Sequence, residues 1–376
     1  RALLLYREAL FLFDPPESLN EQLASVCCND IGLILKAQGE LPAAEAMFRR
    51  ASSFFERVHG ERHHDTATTM HNLGATLLQQ GKVDSGGALL SRSFDLIKRF
   101  HSAAKFDLFH AYLHQGMLYD AKREPVFAVE HYRQALAIGE TFLPHDHREI
   151  ASLCRDLAQS LRDAGNLAEA VNAWKRYISL RTANDLDVAS AKLSIGYALS
   201  ELGDQPGARD AFRLAAEAYI RLDGVASEGH IKSLLGESDT LIAIGFRSEA
   251  EQLLRNLLLQ VRAKHGPDHH WTCEVCLDLG ALLVDQGKLN EAQGLLEHAR
   301  SALARTLGRT HRLTCLAGFR LAAALAGLGD PGRAESLYRE VLAALDSQAD
   351  RHQGWIANCC NRLARLLFER GALDDA

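Results

Sequence analysis

The sequence predicts an all-α chain, a right-handed superhelical α-solenoid of stacked antiparallel helical hairpins, and three regularities carry that prediction. Gly39, Gly81, Gly165, Gly203, Gly245, Gly287, Gly329 and Gly371 stand 42 residues or a multiple of 42 apart, with one step of 38. After each of these places a small residue follows at five positions and a large one at nine, except that the chain ends at the last small residue. Before them, at eight and seven positions, stands mostly a leucine or isoleucine followed by glycine or alanine. Self-similarity of this period is the mark of stacked supersecondary units, none of which can bury its apolar face alone.

The glycine is the hinge, because it can end a helix in the left-handed conformation without a Cβ clash. The midpoint of the double step between Gly81 and Gly165 falls on Arg123, so the third unit keeps its length and lacks the glycine. After the hinge, Ala44, Phe48 and Ala51 lie five, nine and twelve residues on, and Ala292, Leu296 and Ala299 repeat the pattern. Steps of four and three return to one helical face, which defines the second helix. Before the hinge, pairs such as Ile31-Gly32, Leu73-Gly74 and Leu279-Gly280 define the first helix, whose small residue lets its partner approach closely.

The units follow in order. Residues 1–24 read as the second helix of a truncated repeat, on the spacing of Ala2, Tyr6 and Ala9. Eight repeats occupy 25–66, 67–108, 109–150, 151–188, 189–230, 231–272, 273–314 and 315–356, and 357–376 opens a ninth. Both ends therefore suggest a piece of something longer. The fourth unit is the short one, with RTANDLDVAS in place of the usual loop and a change of superhelical pitch expected there. Gln115 in the third unit and Glu237-Ser238 in the sixth replace the leucine and the Leu-Gly pair, so those hairpins are expected to pack loosely or to serve a partner.

The L-G pair, the hinge glycine and the small-bulky-small run resemble the tetratricopeptide repeat along nearly the whole chain. A period of 42, with loops HGERHHDT, HGPDHHWT and LGRTHRLT of the form G-x-x-H-x-x-T, is similar to the kinesin light chain subclass. The resemblance implies a protein-protein interaction scaffold that takes a peptide or helix in the concave groove lined by the first helices. A second reading stays open: such repeats also serve as the sensor arm of a multidomain signalling ATPase or protease whose catalytic domain lies outside these residues.

Composition bounds the alternatives. With 376 residues, 47% hydrophobic and 24% charged, the chain can bury a large core, and its longest apolar runs fall short of the roughly 20 residues of a membrane span. A net charge of −6 argues against nucleic acid as the partner. Eight cysteines, two pairs of them adjacent, suit reduced thiols and a cytoplasmic chain. No phosphate-cradling loop, H-E-x-x-H or nucleophile elbow is present, so neither enzymatic activity nor a cofactor is expected.

Two features suggest metal and neither reaches a site. His110 and His114 sit i, i+4 on one helix, but two ligands are too few. HGPDHHWTCEVC sets histidines before a C-x-x-C, yet its loop recurs in units without the motif, and the place of Cys276 is filled also by Cys28, Cys154 and Cys360. These thiols read as small core residues.

The groove candidates come from the row nine residues before the hinge: Asp30, Asn72, His114, Asp156, Ser194, Gly236, Asp278, Arg320 and Arg362. Polar side chains there can bond the backbone of an extended ligand. In kinesin light chains an asparagine within N-N-L does so, and Asn72 in HNLG is its counterpart. With the neighbouring turns of the same face, the candidate residues are Asn72, His110, His114, Arg155, Gln159, Arg162, Lys232, Arg320, Arg362 and Arg365. Arg320, Arg362 and Arg365 make the C-terminal end basic, where an acidic segment is expected to dock.

Overall fold

The computed structural model describes residues 4–6, 8, 18–100, 104–181, 185–346 and 349–369, and every regular element among them is an α-helix. Two compact units divide the chain, Arg1–Thr182 and Ala183–Ala376, with the boundary inside the short fourth repeat. Unit 1 holds α1 (Ser18–Ala37), α2 (Leu41–His59), α3 (His64–Gln79), α4 (Val83–Phe100), α5 (Lys105–Ala121), α6 (Pro125–Gly139), α7 (Arg148–Asp163) and α8 (Leu167–Ser179). Unit 2 holds α9 (Leu186–Glu201), α10 (Gln205–Asp223), α11 (Glu228–Ala243), α12 (Arg247–His265), α13 (His270–Asp285), α14 (Leu289–Thr306), α15 (Arg312–Gly327), α16 (Pro331–Asp346) and α17 (Ala349–Glu369). Within each unit every helix packs on the next, and α1, α3 and α5, then α9, α11, α13 and α15, also touch in sequence. The odd-numbered helices are thus the first helices of the hairpins, opening a few residues before the spans read from the repeat.

The hinges have one geometry. The glycines from Gly39 to Gly329 take φ between 76° and 93°, and Arg123 adopts φ 62° in the unit that has no glycine. Backbone bonds around it match those of its neighbour: Arg123 N–H donates to Asp120 O at 2.9 Å and Glu124 N–H to Tyr119 O at 2.9 Å, as Gly165 and Asn166 do to Arg162 and Leu161 at 2.9 and 2.8 Å. The turn closes the helix end, and the third unit holds it with a side chain in a region that suits glycine. Gly371 and Ala376 lie outside the described residues, as do Ala2 and Ala9; Tyr6 packs on the cluster of Ile31, Leu35 and Phe48.

Close approach explains the small residue before the hinge. A Cβ on Gly32 would stand 2.7 Å from the Phe48 ring, and one on Gly280 2.8 Å from Leu296, so the large residue of the second helix sits directly on the glycine of the first. The departures pack tightly as well. Gln115, Glu237 and Ser238 are all buried, and Ser238 Oγ donates to Leu235 O at 2.7 Å.

Candidate partner-binding surface

In unit 1 the row of Asp30, Asn72, His114 and Asp156 lies half-buried on the first helices. Neighbouring repeats are stitched across it. Asn72 Nδ2 donates to Asn29 Oδ1 at 3.1 Å, and His71 Nε2 shares a proton with His114 Nδ1 at 2.8 Å. Burial, with smaller contributions from His110 and Lys36, pushes His71 down to about 3 and carries His114 well below its ordinary value, so the pair is neutral at physiological pH. His71 Nδ1 is buried and has no hydrogen-bond partner among the described residues. His110 stands beside this pair, its ring 6.1 Å from that of His114 and its Nε2 3.9 Å from the Glu149 carboxylate.

One repeat on, α7 presents a charged strip. Arg155 pairs with Asp156 at 3.0 Å, Gln159 Nε2 donates to Asp163 at 3.1 Å, and Arg162 pairs with the same Asp163 at 3.1 Å. The Asp156 carboxyl lies above its ordinary value because burial outweighs the opposing Arg155.

In unit 2 the row continues through Ser194, Gly236, Asp278, Arg320 and Arg362, and its chemistry changes. Arg320 Nη1 donates to Asp278 Oδ1 at 2.9 Å, so this guanidinium already holds a carboxylate. Asp239 keeps an exposed edge yet is pushed up to about 6, first by lost hydration and then by Asp278, while Glu274 is raised by the same two causes. Lys232 is drawn to Glu228 at 2.5 Å and lies 5.6 Å over the Trp271 ring. At the far end Arg362 and Arg365 are exposed and, with Tyr338, Ala323 and Ala326, line a cavity of about 270 Å³.

The structure therefore brings together His110 with His114, Arg155 with Gln159 and Arg162, and Arg362 with Arg365. Lys232 and Arg320, like Arg155 and Arg162, are held by acidic neighbours. Sequence reasoning missed Asn29 and His71, ten places before the hinge. That place holds Leu113, Leu193, Leu235, Leu277 and Phe319 in five other units and Arg155 and Asn361 in the remaining two, and the polar residues breaking the run were the available signal.

The tetratricopeptide-repeat family matches at residues 23–85 and 274–347, in both units. These two stretches are tetratricopeptide repeats. The chain's 42-residue period and its loops make the repeats kinesin-light-chain-like. No curated protein is similar enough in sequence to count as a relative. Among solved structures, a signal transduction ATPase with numerous domains from Pyrococcus horikoshii, which carries a tetratricopeptide repeat sensor, is 13% identical over 100% of this chain and 54% of its own, with a TM-score of 0.57. The apo form of the quorum sensor NprR from B. thuringiensis is 13% identical over 92% of this chain and 97% of its own, at 0.53. Kinesin light chain TPR-like repeats of Podosopora anserina are 18% identical over 53% of this chain and 96% of theirs, at 0.48. At such identities the likeness speaks for the fold.

The loops between the hairpins account for G-x-x-H-x-x-T. Gly60, Gly266 and Gly308 take positive φ, and the histidines His63, His269 and His311 accept the backbone N–H two residues on, capping the next helix. Thr66, Thr272 and Thr314 return their hydroxyls to the carbonyls of those glycines at 2.8, 2.6 and 2.8 Å. Each residue of the motif thus satisfies a backbone group that a helix end would leave unpaired. In HGPDHHWTCEVC, His265 Nε2 bonds Ala226 O at 2.8 Å, and Cys273 and Cys276 are buried thiols, Cys273 pushed up to about 12 by burial. In the first loop His59, His63 and Asp65 come together, and there His63 Nδ1 is occupied by the Asp65 N–H at 3.3 Å.

Proposed function

We propose that this chain is a protein-protein interaction scaffold that binds a peptide or helical segment of a partner along the polar row of its first helices. One observation carries the reading. Polar side chains replace apolar ones along that row and bond from repeat to repeat, as Asn29–Asn72, His71–His114 and Asp278–Arg320, which fixes their orientation before a ligand arrives. Preorganised donors and acceptors lower the ordering cost of binding. In unit 1 the Asn72 amide, the neutral histidines and the α7 strip offer both hydrogen-bond roles to an extended backbone. An acidic segment docks at Arg362 and Arg365, whose guanidinium groups line one cavity. The role is binding without catalysis, and a cytoplasmic setting agrees with seven free thiols used as buried apolar groups; Cys360, read from the sequence as a core residue, is exposed instead.

A second reading makes the chain the sensor arm of a larger ATPase. It rests on the likeness, along 100% of this chain, to a protein whose repeats are described as a sensor. Display of a random peptide library against the chain separates the two. Peptides selected by the native chain and lost by Asn72→Ala, or acidic peptides lost by Arg362→Glu with Arg365→Glu but kept by Arg339→Glu on α16, support the scaffold. Selection indifferent to all of these substitutions refutes it, and tight capture of an adjoining domain of the same polypeptide favours the sensor arm.

A further inference from the structure

A polar departure from the repeat lies away from the first helices, on the second-helix side of unit 2. Thirteen places after the hinge the units hold Ser52, Phe94, Leu136, Ile178, Ala216, Leu258 and Leu342, small or apolar throughout, but Arg300 in the seventh. Eleven places before the hinge they hold Cys28, Met70, Tyr112, Cys154, Lys192, Leu234, Cys276 and Cys360, but Gly318 in the eighth. The two departures meet. A Cβ at 318 would stand 3.6 Å from Arg300 Nε and 3.8 Å from its Cδ, so the arginine stem lies over the space that the missing side chain vacates.

Beside this pair opens a cavity of about 620 Å³ among α14, α15 and α16, lined among others by Arg300, Arg305, Arg309, Ser301, Thr314 and Glu340. Three guanidinium groups face one carboxylate. Glu340 takes Arg300 at 2.6 Å, and Asp268, outside the cavity wall, takes Arg305 at 2.9 Å and lies 3.6 Å from His298. The guanidinium of Arg309 has no ion-pair partner among the described residues; its carbonyl accepts the Cys315 thiol at 3.7 Å. The volume falls within the range of about 300–1,000 Å³ usual for small-ligand sites.

We infer that this cavity is a binding site for a small phosphorylated molecule, separate from the partner-binding row. The chemistry selects phosphate over a simple carboxylate. A planar guanidinium bonds an oxyanion through two parallel N–H groups, and a single carboxylate fills one such fork, whereas a phosphate or diphosphate has oxygens for two or three. Arg309 supplies the open fork and Arg300 the half-buried charge that the Gly318 gap admits. Ser301 adds a hydroxyl at the rim, and Val341 and Ala344 give an apolar wall for the organic part.

Isothermal titration of the chain with inorganic pyrophosphate at low salt tests this, with glutarate as the dicarboxylate comparison. The expected result is saturable binding of which one site is weakened tenfold or more by Arg309→Ala and by Arg300→Leu, and unchanged by Arg221→Ala on α10. Arg300→Leu returns the place to the residue that Leu258 and Leu342 hold, and should Arg300→Leu fail to fold, the exposed Arg309→Ala decides alone. Absence of saturable pyrophosphate binding, equal binding by the variants, or glutarate binding as tightly as pyrophosphate overturns the inference. Peptide selection on the first helices is unaffected by Arg309→Ala, so the two functions fail independently.

Discussion

Arg123 offers the sharpest test of the repeat logic. Its φ of 62° places a side-chain-bearing residue where the seven other described hinges carry glycine, and its own side chain is exposed, so replacing it removes no packing. A residue with a Cβ in the left-handed region costs roughly 1–2 kcal/mol. Glycine returns part of that through the greater freedom of the unfolded chain, about 0.4–1 kcal/mol. Arg123→Gly should therefore stabilise unit 1 by about 0.5–1 kcal/mol. With a urea slope of about 2 kcal/mol/M, the midpoint rises by about 0.3–0.5 M. The reverse change, Gly165→Arg, should lower it by about 1 kcal/mol through the same strain. Amide exchange localises the gain, since α5 and α6 flank Arg123 and should become better protected while unit 2 is unchanged. A midpoint that is unmoved or lowered in Arg123→Gly, with Gly165→Arg behaving as expected, would show that the third hinge gains more from its arginine than the strain it bears.

Three further outcomes follow from the site and the packing. The folded-state value of His71 is depressed to about 3, below the ordinary histidine value near 6.5, so unit 1 keeps its full stability above that ordinary value and loses it as pH falls toward 3; His71→Leu should flatten this slope in urea melts run between pH 7 and 4. Gly280→Ala should cost about 1–3 kcal/mol by overpacking Leu296, and Leu296→Ala in the same chain should recover part of it, a coupling that a double-mutant cycle of thermal melts reads directly. Asp278→Asn removes the carboxylate that holds Arg320, so capture of an acidic peptide by unit 2 should strengthen several-fold, and weaker capture would mean that the pair binds as one element.

The hinge positions, the two helices of each unit and the polar face could be read from residues alone because each obeys a local rule: a left-handed turn, a close approach, a helical period. The location of Arg123 as a hinge came from arithmetic, and its conformation confirms that backbone geometry is imposed by the packed hairpin and not by the residue's own preference. The bonds across the row were not legible for a simple geometric reason. Asn29 to Asn72 and His71 to His114 span 43 residues, one more than the period, so they run from the place ten before one hinge to the place nine before the next. An alignment in strict register puts those partners in different columns. Only Asp278–Arg320, at 42, falls within one. The paired state of Arg320 and Lys232 was hidden for the same reason that surface charges usually are: a charge read singly has no partner until the fold supplies one.

The contrast between Arg123 and Arg300 gives a way to separate tolerated departures from useful ones in such a chain. Both are arginines where the repeat wants something else. Arg123 changes nothing around it, since its hinge bonds match those at Gly165 and its side chain stays exposed. Arg300 is matched by a second departure, Gly318, on the neighbouring helix, and by Glu340, an acid at a place that holds Arg50, Arg92 and Arg176 elsewhere. In a stacked array each unit contacts only its neighbours, so a compensated set of changes at one seam leaves every other seam intact. A lone departure therefore costs a little stability and specifies nothing. A compensated one costs three substitutions to build and yields a cavity with a distinct charge, which is the pattern expected where a seam has acquired a ligand.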